Sequence, residues 1–293
     1  MIGILGASGY VAQEFISELV KQETTFREYN RSRCEYNDLE TLINVIHEDN
    51  ISALINCAGY TGKPNVDACE YNKDECYNAN VELAKTIATA CAMTDTTLLH
   101  VSSGCIYTGS KEGEPFTEED EPNFHDSSKV KGSFYSVTKT LAENVVKSIW
   151  PKSYIARLRI PFDNIDGPRN YLTKLQNYEK LLNAENSISH KGDFVKACIY
   201  LLKNQAEFGI YNIVNSGSVT TWEVAEILKD AGLMDSYTLL DERNFYKEVK
   251  PKAPRSNCVL DNTKLINSGF EMRSAVDALK DSIKTWKTES IEE

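Results

Sequence analysis

Ile2-Gly3-Ile4-Leu5-Gly6-Ala7-Ser8-Gly9-Tyr10-Val11-Ala12 opens the chain, and its reading decides the fold. Ile2–Leu5 is a short apolar run and Gly6–Gly9 a turn. Val11, Phe15, Ile16 and Leu19 then recur at helical spacing. A strand that passes through a GxxGxxA turn into a helix lets backbone N–H groups approach a pyrophosphate at the helix N-terminus. Gly6, Ser8, Gly9, Tyr10 and Val11 are therefore the candidate dinucleotide contacts. Gly-rich turns are common, so the pattern takes its weight from standing between strand and helix.

Outward from this unit the alternation continues. Thr25–Tyr29, Ile51–Cys57, Thr97–Ser102 and Ile155–Ile160 read as strands. Helical spacing follows Asp38 (Leu39, Leu42, Ile43, Ile46), runs from Val81 to Cys91, and extends from Ser133 to Trp150, stopping at Pro151. Strands and helices of these lengths in alternation predict an α/β fold, a Rossmann-type doubly wound parallel sheet. Lys111 to Gly132 is polar and acidic with Pro115 and Pro122, a loop expected at the rim of a site. Beyond Pro161 the alternation loosens. Tyr171, Leu172, Leu175, Tyr178, Leu181 and Leu182 predict one helix and Phe194–Leu202 another. Thr220–Glu223 has the form of a capping box, and Val276, Leu279, Ile283 and Trp286 make the face of a last helix. The expected division is a nucleotide-binding domain over 1–160 and a smaller substrate-binding part over 161–293, partly interleaved with it.

Composition bounds the function. The chain has 293 residues, 41% of them hydrophobic and 26% charged, an ordinary globular mix that argues against disorder or a fibrous chain. No apolar run approaches the ~20 residues of a membrane span. The first residues lack the basic region and cleavage site of a secretory leader, so none is expected. A net charge of −11 disfavours nucleic acid and anionic membranes as partners, but leaves room for an anionic small ligand that reads local charge. Eight cysteines without a CxxC pair are expected to be reduced thiols in the cytoplasm. Four scattered histidines offer no metal-ligand spacing, and no metal is expected.

Chemistry is carried by a few residues. The second strand should end in an acid for NAD, or be followed by arginine for NADP. No convincing acid stands there, while Arg31 and Arg33 follow Tyr29-Asn30 and suit a 2′-phosphate. NADPH is the expected cofactor, NADH the alternative. Tyr135 and Lys139 stand four apart on one helix face. A phenol with pKa near ~10 is a poor acid–base catalyst unless a neighbouring ammonium and a bound cofactor lower that pKa.

With the strand ending Val101-Ser102-Ser103, this set resembles the extended short-chain dehydrogenase/reductase superfamily, which implies Ser103, Tyr135 and Lys139 as catalytic residues. Longer segments resemble the bifunctional nucleotide-rhamnose synthase/epimerase-reductases of plants and giant viruses. These are Asn56–Asp67 (NCAGYTGKPNVD), Gly104–Tyr107, Gly132–Tyr135, Pro168–Lys174 (PRNYLTK) and Pro254–Asn257. The resemblance covers residue 3 to about 280 and extends to dTDP-4-dehydrorhamnose reductases and GDP-fucose synthases. It departs at Ala12, where a third glycine is usual, and between Thr24 and Tyr36. It implies conversion of UDP-4-keto-6-deoxy-glucose to UDP-L-rhamnose with NADPH. It implies Cys105 as the epimerisation base and Lys174 as the epimerisation acid. Cys57, Ala58, Gly59 and Tyr60 would hold the cofactor; Thr61, Gly104, Asn170, Lys174 and Arg255 would hold the nucleotide sugar. Arg255 also suits a diphosphate by its own chemistry, since guanidinium binds phosphate oxygens bidentately. A homodimer through the helices near 80–92 and 133–150 is implied as well. Two rivals stand beside this reading: a 4-keto reductase without epimerase activity, and a non-catalytic regulatory subunit on a reductase fold. The regulatory subunit would be expected to lose part of the Ser–Tyr–Lys set.

Overall fold

The computed structural model describes residues 1–32, 34–125 and 131–287. Six strands form one parallel sheet: β1 Ile2–Leu5, β2 Phe26–Tyr29, β3 Ala53–Asn56, β4 Thr97–Ser103, β5 Ser153–Leu158 and β6 Gly209–Asn212. Their order across the sheet is β6-β5-β4-β3-β1-β2. The chain builds outward from β1 to β2, then jumps back to place β3 on the other side of β1. Ligands of such sheets sit at this reversal, beyond the carboxyl ends of the strands.

Alternation along each strand sends neighbours to opposite faces, and helices cover both. Leu5, Leu54, Leu98 and Ile155 pack under α2 Leu39–Glu48, α3 Leu83–Thr94 and α4 Phe134–Ile149. Ile4, Ile55, Leu99 and Ala156 pack against α1 Tyr10–Lys21 and a helix over Lys191–Lys203. That second helix and β6 come from the C-terminal half, so the chain returns to complete the sheet. Asp38 caps α2 by accepting from Thr41 N at 2.8 Å, and Thr220 and Glu223 form the expected capping box. Trp150 ends α4 before Pro151, which has no N–H to continue it.

A third core gathers Phe162, Leu172, Leu175, Leu181, Val224, Leu228 and Leu279 beneath the C-terminal elements. Here one expectation fails. The helix that begins at Tyr171 stops at Gln176, and Lys180–Leu182 is a strand paired in parallel with Thr238–Leu240. Leu181 and Leu182 meet helical spacing by coincidence; their partner strand is remote in sequence, and nothing local announces it.

Candidate active site

Above the reversal lies a cavity of about 1510 Å³, lined by the turn after β1, the loop after β3, the end of β4, α4 and the C-terminal segments. Ser8, Gly9, Tyr10 and Val11 line it from the first turn. Gly9 begins α1 without any side chain capping the helix, which leaves the helix N-terminus open to an anion. Gly6 does not line the cavity. Its φ is +71°, a Cβ there would meet Ala58 N at 2.8 Å, and its N–H is spent on Tyr29 O at 3.0 Å. Gly6 makes the turn and the crossing under the β3 loop, and offers nothing to a ligand. Cys57, Ala58, Gly59, Tyr60 and Thr61 line it from the loop after β3. Asn80, in a π-helical turn ahead of α3, holds that loop to α4. It accepts from Tyr60 N at 2.8 Å and donates to Tyr60 O at 2.9 Å and Thr138 Oγ1 at 3.0 Å. These features fit a dinucleotide laid along the carboxyl ends of β1 and β3. Arg31 is exposed beyond β2 and hydrogen-bonds Tyr36. Arg33 lies outside the described residues.

Deeper in, Ser103, Cys105, Tyr135, Lys139 and Lys174 all face the same space. Ser103 ends β4 and caps the short turn Gly104–Ile106, accepting from Cys105 N at 3.1 Å. Ser133 caps α4 and sets Tyr135 and Lys139 one helical turn apart. Tyr135 hydrogen-bonds Ser103, yet burial and the Cys105 sulfur push the phenol well above its ordinary value. The hydroxyl therefore keeps its proton at neutral pH. Lys139 donates to Val101 O at 3.1 Å. Burial lowers its ammonium to about 8, against the upward pull of Glu143. Lys174 is also lowered, by burial and then by Arg169, with Cys105 acting in the opposite sense.

Two expected substrate contacts are not at the cavity. Asn170 is fully buried, caps the helix at Tyr171 and donates to Asp163 Oδ1 at 2.7 Å and Ile165 O at 2.8 Å. It positions Lys174 by fixing that helix. Gly104 is buried too; a Cβ there would stand 2.6 Å from Leu260 Cδ1. Arg255 does line the cavity, paired with Asp67 at 2.7 Å. Lys63, Arg169, Lys174, Lys250, Lys252 and Arg255 line it against Asp67 and Glu179, so the acidic chain presents a basic recess.

The sequence reading missed Arg157 and Arg159 at the end of β5. Both are 1% exposed. Arg157 clasps Glu143 with Nη2 at 2.8 Å, and Arg159 donates from Nη1 to Cys105 Sγ at 2.9 Å. Two arginines alternating in an otherwise apolar strand were the signal in the sequence, because a buried guanidinium requires a partner.

Fold and cavity define a class first: a Rossmann-type protein of the short-chain dehydrogenase/reductase fold. The chain belongs to the family described as RmlD substrate binding domain, which matches residues 1–288. It is 32% identical over 285 residues to a bifunctional dTDP-4-dehydrorhamnose 3,5-epimerase/dTDP-4-dehydrorhamnose reductase of Arabidopsis thaliana, covering 94% of this chain and 90% of that one. It is 33% identical over 287 residues to an Arabidopsis trifunctional UDP-glucose 4,6-dehydratase/UDP-4-keto-6-deoxy-D-glucose 3,5-epimerase/UDP-4-keto-L-rhamnose-reductase. That match takes in 94% of this chain but spans 41% of the longer protein. Among solved structures, a UDP-rhamnose synthase from Acanthamoeba polyphaga mimivirus superposes with a TM-score of 0.87 at 21% identity, over 97% of this chain and 98% of that one. A dTDP-4-dehydrorhamnose reductase ortholog from Clostridium acetobutylicum gives 0.82 at 23%, with the same coverage. At these identities the superpositions speak to the fold.

Proposed function

We propose that this chain converts a nucleotide-linked 4-keto-6-deoxy-hexose, UDP-4-keto-6-deoxy-D-glucose, to UDP-L-rhamnose by 3,5-epimerisation and 4-keto reduction in one cavity. The observation that carries the reading is that Cys105 and Lys174 share a cavity with Ser103, Tyr135 and Lys139. Relatives named for the same two activities, at 31–33% identity, support it.

NADPH, when bound along the first turn and the β3 loop, supplies the hydride for C4. Tyr135, protonated at neutral pH, gives its proton to the developing C4 alkoxide, and Ser103 hydrogen-bonds the same oxygen. Lys139 stays charged and close, easing the phenolate that remains. For epimerisation the 4-keto group acidifies the hydrogens at C3 and C5. The Cys105 thiolate takes a proton from one face, leaving an enolate, and Lys174 ammonium returns a proton to the other. A lowered ammonium gives that proton up more readily than an ordinary lysine would. The basic recess, with Arg255 and Arg169, holds the diphosphate. The working unit is a cytoplasmic homodimer through α3 and α4, near which Tyr77, Met93 and Leu141 are exposed.

Incubation with UDP-4-keto-6-deoxy-glucose and NADPH in D₂O, followed by NMR, tests the reading. The expected product is UDP-L-rhamnose with deuterium at C3 and C5. Cys105→Ser replaces a thiol of pKa ~8.5 by a hydroxyl far harder to ionise and should abolish both label and product. Reduction of the unepimerised sugar without label in the unmodified protein would leave a 4-keto reductase alone.

A further inference from the structure

Arg157, near the end of β5, and Arg159, just past it, are equally buried and differ in what neutralises them. Arg157 has a carboxylate: Glu143 accepts from Nε at 3.1 Å and from Nη2 at 2.8 Å. Among the described residues Arg159 has no carboxylate partner. Its Nη2 donates to Asn186 Oδ1 and, at 2.7 Å, to the Ser256 carbonyl, and its buried Nε has no acceptor among the described residues. Its Nη1 donates to Cys105 Sγ at 2.9 Å. A fully buried cation with neutral amide partners is costly, and a counter-ion within hydrogen-bond reach relieves that cost. The ionisable atom in that position is the Cys105 sulfur.

The backbone is arranged for this contact. β5 ends at Leu158, Arg159 N donates to Ser189 Oγ at 3.1 Å, and Ile160 follows with φ +40°. A β-branched residue in the left-handed region is strained, and such strain persists where surrounding structure fixes it. On the other side the Cys105 amide is tied to Ser103 Oγ, so both ends of the sulfur–guanidinium contact are held.

We propose that Arg159 is the positioning residue of Cys105: it fixes Sγ at the cavity wall and is the counter-ion of the thiolate that epimerisation uses. This rests on the epimerase reading. When Cys105 takes the C3 or C5 proton, the C–H pair becomes the enolate, the new bond is S–H, and Arg159 loses its counter-ion until the thiol returns its proton to water. Lys174, Cys258 and, from α4, Tyr135 and Lys139 also face Cys105, so three segments meet at the sulfur. Of these five groups, Arg159 is the one that hydrogen-bonds the sulfur directly.

The test needs no substrate. Iodoacetamide labelling of Cys105, read on its peptide by mass spectrometry across pH, follows the thiolate. In Arg159→Gln, whose amide can still serve Asn186 and Ser256, the labelling profile should move to higher pH. Near neutral pH the rate should fall at least about tenfold. Arg159→Lys keeps the charge but not the three-way fork, so its profile should move less while labelling still slows about two- to fivefold. Superimposable profiles for Arg159→Gln and the unmodified protein overturn the proposal. If Arg159→Gln does not fold, an Arg159→Lys labelling rate equal to that of the unmodified protein overturns it. Deuterium incorporation in the unmodified protein is scored separately. Its absence removes the epimerase reading, whereas a displaced labelling profile still establishes the Arg159–Cys105 pair.

Discussion

In the proposed reduction Tyr135 gives the proton, and its surroundings set the form in which it waits. Burial and the Cys105 sulfur hold the phenol protonated, while Ser103 hydrogen-bonds it and Lys139, one turn along α4, lines the same cavity. Tyr135→Phe removes that proton and little else, so the cavity and its cofactor contacts should survive. NADPH oxidation with the 4-keto sugar should fall ~10²–10⁴-fold, the usual share of general acid catalysis. Titration of NADPH binding by fluorescence should give an affinity close to that of the unmodified protein. Near-normal turnover in Tyr135→Phe would remove the assignment. At this scale much was legible from the chain alone. Tyr135/Lys139 spacing, the Ser103 strand end and Cys105 are local in sequence, and the fold brings them together. Asn170 was misread for a physical reason: asparagine before a helix is as good a cap as a ligand, and burial decides between the two.

Helix α4 places Tyr135, Lys139 and Glu143 at successive turns of one face, and β5 answers with Arg157. The helix is thus an electrostatic unit. Glu143 pulls the Lys139 ammonium up while burial pulls it down, to about 8. Lys139 is therefore charged below that pH and loses its proton as pH rises through it, so reduction should decline on the alkaline side of about 8. For folding the sign is the reverse of a favourable pair. A base depressed below its unfolded value costs stability while charged. That cost is full below about 8 and is relieved as pH rises toward the unfolded lysine value near ~10.4. Glu143→Gln keeps the shape and removes the upward pull, so the alkaline limb of the pH–rate profile should move to lower pH. It also strands Arg157, and urea denaturation should register a loss of about 3–5 kcal/mol. An unmoved alkaline limb in a folded Glu143→Gln protein would show that Lys139 does not set it. The helix itself was readable, because Ser133 and Pro151 bracket it and its apolar face repeats. The Arg157–Glu143 pairing was not, since it joins two elements that only the assembled sheet makes neighbours. The strand at Lys180–Leu182 escaped for the same reason.

Across the whole molecule, charge is distributed against its sum. A chain of net −11 turns basic side chains into the cavity above the sheet's reversal, and one of them, Arg255, is already paired across it. Asp67 belongs to the loop after β3 and Arg255 to a segment close to the C-terminal helices. Their 2.7 Å contact, with Ala253 N donating to the same carboxylate oxygen at 3.0 Å, ties the loop after β3 to the C-terminal part of the chain. Burial pushes the Asp67 carboxyl up, but Arg255 and the backbone donors win, so it stays ionised at neutral pH. In the proposed binding mode a diphosphate entering the recess competes with Asp67 for the guanidinium. Arg255→Ala removes a charge-assisted contact of roughly 1.5–3 kcal/mol and should raise KM for the nucleotide sugar about 10–100-fold, with kcat changed far less. Asp67→Asn leaves Arg255 without its carboxylate rival and should lower KM instead, provided the loop after β3 keeps its place. Added salt screens a recess of this kind, so KM for the unmodified protein should climb with ionic strength and climb less steeply in Arg255→Ala. Steady-state kinetics over a salt series measures all three. Equal KM values for Arg255→Ala and the unmodified protein would mean that Arg255 only closes the two halves of the fold on each other and that the diphosphate lies against Arg169 and Lys174.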